Sequence, residues 1–279
     1  MVRIITDTTA CLPKEVAEKY GLPVIPQIIH FGEESFYEGI DMDIEAFMQR
    51  LRLSKELPKT SAPPPELFVE LFEKFVPAGE PVICIHPSSD VSGTVRSATT
   101  ASLDFPGADI RVIDTRTIAS PLGSMVSEAA RMAAGGANAD RIVDHVNDLI
   151  GRCRIYFLID TLEYLQRGGR IGGASALLGS LLQVKPILTV KDGVVNPYER
   201  ERTGRRAVAR IKELVVGQIA SGGAGLLTIM HAGRLADGET LAQDLKELVL
   251  QDEIPVVDMC PAIVTHGGPG ILGVGFFTS

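Results

Sequence analysis

"PVICIHPSSDVSGTVRSA", residues 81–98, passes from an apolar run through a hydroxyl-rich turn into a segment of helical character. The run "VICIH" is apolar at consecutive rather than alternate positions, the pattern of a strand covered on both faces. A strand of that kind leading directly into a helix implies a mostly parallel sheet clothed in helices. The surrounding chain has the same texture. "VRIITD" (2–7), "PVIPQII" (23–29) and "IRVIDT" (110–115) are further strand candidates, and residues 65–75, 93–103, 118–134 and 139–151 read as helices. All the strand candidates except the second end in polar clusters: "TDTT" (6–9), "HPSS" (86–89) and "DTRT" (114–117). Ligands of open α/β sheets bind beyond the carboxyl ends of the strands, so these hydroxyls lie at a candidate mouth.

From Arg154 the texture changes to α+β. "IYFLID" (155–160) is followed by glycine-rich "RGGRIGGA" (167–174) and by "PILTVKDGVVNPYERE" (186–201), where Asp192-Gly193 marks a hairpin turn. Helices are expected over about 204–219 and 237–250, with strands at "LLTIMHA" (226–232), "PVVDMC" (255–260), "AIVTH" (262–266) and "ILGVGFF" (271–277). The expected architecture is α/β with two domains: 1–153 with a mostly parallel sheet, and 154–279 as α+β with a mixed sheet.

Composition narrows the function. A chain of 279 residues with net charge -8 is a poor match to nucleic acid, which attracts a basic surface. Aromatic residues make up 5% and tryptophan is missing, so the interior is aliphatic and offers few rings for stacking. Cys11, Cys84, Cys153 and Cys260 form no CxxC pair and read as buried free thiols. The scattered histidines suggest no metal centre, and no cofactor motif is found. "MVRIITDTT" carries no secretory pattern, and the longest uncharged central run, "IGGASALLGSLLQV", has 14 residues, too few to span a bilayer. A cytoplasmic location is expected.

Five segments carry chemistry. In 88–98, Ser92, Gly93 and Thr94 open a helix and are suited to an anion or polar head group; the same residues also serve as a plain N-cap. Thr60 and Ser61 precede the stiff run "APPP", which either presents them to a ligand or merely joins two helices. In "THGGPGILG", Gly268, Gly270 and Gly273 match G-x-G-x-x-G without the strand and helix a dinucleotide site requires, leaving His266 as a hydrogen-bonding candidate or a satisfied core histidine. Within 160–188, Leu177, Leu178, Leu181 and Leu182 are read as one face of a helix that admits an acyl chain or forms core. Finally, "YERERTGRRAVARIK" (198–212) concentrates base on an acidic protein, as a solvated face or a docking patch.

Together "TDTTACLP", "TSAPPP", "SSDVSGTVRSA", "VIDTRTIASPLG", "DTLEYLQRGGRIGGASALLGSLLQVKPIL", "DGVVNPYERERT" and "HGGPG" resemble, in order and spacing, the DegV family of bacterial fatty-acid-binding proteins. The resemblance implies a two-domain α/β fold holding one long-chain fatty acid, with Thr60, Ser61, Ser92, Gly93 and His266 gripping the head group. It also implies a partner kinase that uses ATP to convert the bound acid to an acyl phosphate for phospholipid synthesis. Arg170 and Arg202 would face that kinase, with transient membrane contact for ligand exchange. Catalysis would then lie in the partner. Burying roughly 15 methylenes at about 0.8 kcal/mol each offers a gross term on the order of 12 kcal/mol before ordering costs. The carboxylate then needs converging donors, which the reading assigns to hydroxyls and amides rather than to an arginine. Two rival readings remain: an enzyme acting on a phosphorylated small molecule, and a regulatory module docking through 200–212.

Overall fold

The computed structural model describes residues 1–179, 184–220, 225–249 and 253–279. Leu181 and Leu182 of the expected acyl-lining helix lie outside the described residues; Gly172–Leu177 before them forms a 3₁₀ helix.

The first sheet is parallel throughout, in the order Val24–Ile25, Arg3–Asp7, Val82–His86, Ile110–Asp114. Every residue of Val82–His86 is buried. Its side chains alternate between two cores, as a pleated strand requires. Ile83 and Ile85 pack with Leu122, Val126 and Ile142 from helices Ser120–Ala134 and Ala139–Arg152. Val82 and Cys84 pack on the other side with Phe68 and Phe72 of helix Pro65–Phe75 and Ala98 of helix Thr94–Ser102. This is the α/β layering that the apolar run at 82–86 implies.

The second sheet has six strands in the order Val194–Glu201, Lys185–Lys191, Cys153–Leu158, Leu272–Phe277, Thr228–His231, Val256–Asp258, antiparallel except for the last pair. The expected hairpin turns at Asp192 and Gly193, with φ of 53° and 83°, the left-handed pair a two-residue turn demands. One face carries Tyr156, Leu158, Val274 and Phe276 against helices Gly204–Gln218 and Leu235–Val249. The other carries Ile155, Phe157 and Met230 into a core shared with Ile29, Phe47, Ala119 and Val264.

Two local expectations are overturned. "AIVTH" is not a strand: Pro261–Gly267 is a helix, entered from the extended Cys260 with Pro261 in its first turn, where a missing N–H costs nothing. "PVIPQII" is broken at Pro26-Gln27, and its second half, Ile28–Phe31, joins a separate antiparallel sheet with Glu34–Tyr37 and Lys59–Ser61. Thr60 and Ser61 are therefore strand residues rather than loop residues.

Helix Ser120–Ala134 lies so close to the turn Thr8–Ala10 that a Cβ on Gly123 would sit 2.4 Å from the Ala10 carbonyl oxygen. Alanine improves helix propensity by about 1 kcal/mol over glycine, but here it must displace backbone, a cost of about 1–3 kcal/mol or more. Gly123→Ala should lower the urea midpoint of unfolding; a raised midpoint would show that the contact is not tight.

Candidate functional site

Between the second sheet and the carboxyl ends of the first lies a narrow cavity with about 110 Å³ reachable by the centre of a water molecule, several times what one water needs. Its wall is aliphatic and drawn from distant segments: Ile155 and Phe157 from one strand, Val190 and Val195 from the hairpin, Ile118 and Ile263 from the segments facing them. Strand register explains the floor. Val195 pairs with Val190 across the hairpin, and Ile155 and Phe157 project from the same face of the neighbouring strand. Across the sheet from Phe157 stands Gly273, where a Cβ would meet Phe157 Cβ at 2.9 Å.

The polar lining comes from the carboxyl ends of the parallel strands and from helix Pro261–Gly267. Asp7 is fully buried; its Oδ1 accepts from Thr9 N (3.0 Å), Thr9 Oγ1 (2.6 Å) and Gln27 Nε2 (3.0 Å), and its Oδ2 from His86 Nδ1 (2.7 Å). Gln27 spends its second amide hydrogen on Thr94 Oγ1 (3.0 Å). Thr94 is buried with Ser92 Oγ 2.8 Å away, so its own hydroxyl hydrogen goes to Ser92. Ser92 Oγ also accepts from Thr94 N at 3.3 Å, which leaves the Ser92 hydrogen free for the cavity.

On the opposite wall Thr60 Oγ1 lies 2.7 Å from His266 Nε2. The His266 Nδ1 is buried without a partner among the described residues. A bare acceptor is cheaper to bury than a bare N–H, so the proton belongs on Nε2, donating to Thr60 and freeing the Thr60 hydroxyl hydrogen. Burial and the nearby Arg170 charge hold His266 down at about 4, so the ring is neutral near neutral pH. Gly168 makes room for it: a Cβ there would stand 2.3 Å from Nδ1.

Thr60, Ser92, Gly93 and His266 thus line one cavity, with Gly93 so close to Ala62 that an added Cβ would lie 3.3 Å from the alanine methyl. Ser61 does not join them. Strand alternation turns it outward, exposed, with its Oγ 2.8 Å from His30 Nε2. Arg170, expected on a partner-facing surface, instead lines the cavity, its Nε and Nη1 donating to Val91 O (3.1 Å) and Gly168 O (2.7 Å). No carboxylate among the described residues pairs with it. Arg202 is exposed and away from the cavity. In the basic stretch, Arg210 is paired with Glu199 and Glu213, and Lys212 with Asp244, so among the described residues the charges without an ion pair are Arg200, Arg202, Arg205 and Arg206. Thr9 and Gln27 were missed as lining residues; the lone amide in the apolar run "PVIPQII" was the available signal for Gln27.

Behind the cavity, Glu38 is buried between Thr8, which donates to Oε2, and Ala262 N, which donates to Oε1 at 2.7 Å. Burial pushes its carboxyl up to about 7 despite these bonds. His266 and Glu38 therefore act on stability in opposite directions. As pH falls from 6.5 to about 4 the unfolded histidine gains a proton that the native one refuses, and stability drops. As pH rises from 4.5 to about 7 the unfolded glutamate loses a proton that the native one keeps, and stability again drops. Urea titrations should show His266→Gln relatively more stable toward acid, and Glu38→Gln relatively more stable toward neutrality, across their shared window. Unaltered pH slopes in both variants would refute the assignments.

The family described as "Uncharacterised protein, DegV family" matches residues 1–279. A DegV domain-containing protein of Halalkalibacterium halodurans is 36% identical over 277 residues, covering 99% of this chain and 98% of the relative. Among solved structures, the fatty-acid-binding protein DegV of Bacillus subtilis superposes with a TM-score of 0.87 at 32% identity, covering 100% of this chain and 99% of that one. A fatty-acid-binding DegV family protein of Streptococcus agalactiae superposes with a TM-score of 0.91 at 28% identity and the same coverage. With a cavity walled by aliphatic side chains and the whole length matched, the chain belongs to the DegV family.

Proposed function

We propose that this protein binds one long-chain fatty acid in the cavity between its sheets and presents the carboxyl group to a partner kinase for phosphorylation. The observation that carries the reading is an aliphatic slot whose polar lining gathers two hydroxyl hydrogens, at Ser92 and Thr60, and the guanidinium of Arg170, which pairs with no carboxylate among the described residues. The alkyl chain supplies affinity by leaving water, at about 0.8 kcal/mol per methylene. The head group supplies orientation. A carboxylate is acceptor-only, so donors whose hydrogens are not already committed are what it needs. Arg170 adds the charge that hydroxyls alone do not provide. Solved proteins of the same fold that are described as fatty-acid-binding support the same assignment.

In this reading the protein is a carrier, and ATP and the transfer step belong to the kinase. Ser92, Gly93, Thr60 and His266 surround the head group, and neutral donors beside one guanidinium tolerate both a carboxylate and the larger acyl phosphate. Arg200, Arg202, Arg205 and Arg206, free of ion pairs among the described residues, form the docking patch for an acidic partner surface. No helix among the described residues is long and apolar enough to cross a membrane, so any exchange of ligand with lipid takes place by contact. The division of the chain near residue 153 belongs to the same proposal.

Organic extraction of the purified protein followed by mass spectrometry should recover a stoichiometric fatty acid of roughly 14–18 carbons. Losing one hydrogen bond to a charged head group costs about 1.5–3 kcal/mol, so Ser92→Ala should weaken binding about 10- to 100-fold with the fold intact. A lipid-free extract from protein made in a lipid-rich host, or unchanged affinity in the variant, would remove the assignment.

Docking is tested separately. Arg202→Glu should leave bound lipid unchanged and abolish acyl phosphate formation when the protein is mixed with a fatty acid kinase and ATP. Undiminished turnover would place the docking face elsewhere.

A further inference from the structure

Two of the four cysteines share one groove. Cys11 follows the turn Thr8–Ala10 in left-handed backbone, and Cys260 caps helix Pro261–Gly267; the sequence separates them by almost the whole chain. Both are only partly buried, both pack against the same apolar core, and both line one surface groove beside Met42 and Val257, close enough for each thiol to feel the other electrostatically. Cys11 also lines a second groove. Glu38 touches the Cys260 thiol while holding Ala262 N and Thr8. Cys84 is sealed in the first sheet, and Cys153 faces the Thr117 hydroxyl, so neither has a thiol neighbour.

We propose that Cys11 and Cys260 form a reversible disulfide when the protein meets hydrogen peroxide, and that the bond clamps the cavity. The Cys11 thiolate attacks one peroxide oxygen, forming a sulfenic acid as hydroxide leaves and takes the thiol's proton as water. The Cys260 sulfur then attacks the sulfenic sulfur. The Glu38 carboxylate takes the Cys260 proton and passes it to the departing hydroxide. Two thiols and one peroxide become one disulfide and two waters. Although the residue is partly exposed, apolar packing around its sulfur keeps Cys260 protonated at rest, which suits a resolving thiol that reacts only once its neighbour is oxidised and a base is at hand.

The bond joins two walls of the cavity. The turn before Cys11 contributes Thr9, and the helix after Cys260 contributes Ala262, Ile263 and His266. A cross-link between these segments resists their separation, and by stiffening two walls of the cavity it slows ligand exchange. This consequence rests on the fatty-acid reading; the bond itself does not.

The test uses the full-length protein as purified, treated with hydrogen peroxide, alkylated, and digested without reduction. A peptide pair joining Cys11 to Cys260, a loss of two hydrogens in intact mass, and reversal by dithiothreitol are expected, with Cys84 and Cys153 left as thiols. Release of a fluorescent fatty acid should slow several-fold on oxidation, recover on reduction, and not respond in Cys11→Ser or Cys260→Ser. Alkylation of both thiols after peroxide, or a bridge between two chains, overturns the disulfide. A bond that forms without slowing release overturns the clamp. A bond formed in protein that carries no fatty acid upholds the disulfide and overturns the proposed function alone.

Discussion

A carboxylate cut off from water must be surrounded by donors, and Asp7 is surrounded on every side. Its four hydrogen bonds come from Thr9, Gln27 and His86, which belong to the turn after the first strand, the break after the second, and the end of the third. Satisfying this one group therefore aligns the carboxyl ends of three parallel strands. It also commits Gln27 to Thr94 and Thr94 to Ser92, so the direction in which the Ser92 hydrogen points is a remote consequence of burying Asp7. His86 is held in turn against Phe68, the two rings nearly perpendicular with centroids 5.3 Å apart. Polar order in the first sheet and hydrophobic packing behind it are thus one construction.

The cavity is left open because the two sheets meet through side chains of unequal size. Glycines at 273 and 275 leave the middle of the facing sheet low; a Cβ on Gly275 would lie 2.5 Å from Pro121 Cγ. Helix Ser120–Ala134 comes down onto that strand, while Ile155, Phe157, Val190 and Val195 remain as an aliphatic floor beside it. Close packing at one point and a slot at the next follow from where the chain spends its glycines.

Arg170 changes the electrostatic account of the site. Hydroxyls alone make a polar but neutral end; a guanidinium tied down through two backbone carbonyls, with no carboxylate beside it among the described residues, makes a fixed positive one. The same charge helps keep His266 neutral, so the ring donates to Thr60 rather than competing with Arg170 as a second cation.

Most of this architecture was readable from local pattern. Consecutive apolar residues at 82–86, the Asp192-Gly193 turn and the helices at 65–75 and 139–152 declare themselves because their periodicity and turn chemistry are properties of a few adjacent residues. "AIVTH" misled because five residues with apolar spacing fit a strand as well as a short helix, and the contacts that choose between them come from residues far away. The candidate site divides on the same line. Residue types were legible in "SGT", "TS" and "HGGPG", since hydroxyls and glycines at strand and helix ends have a limited repertoire. Which hydroxyl faces inward was not: Thr60 and Ser61 are neighbours on opposite faces of an edge strand, and Arg170 reaches the cavity through a fold that brings residue 170 against residue 91. Chemistry travels with the sequence, but the direction of a side chain depends on pairings across the whole chain.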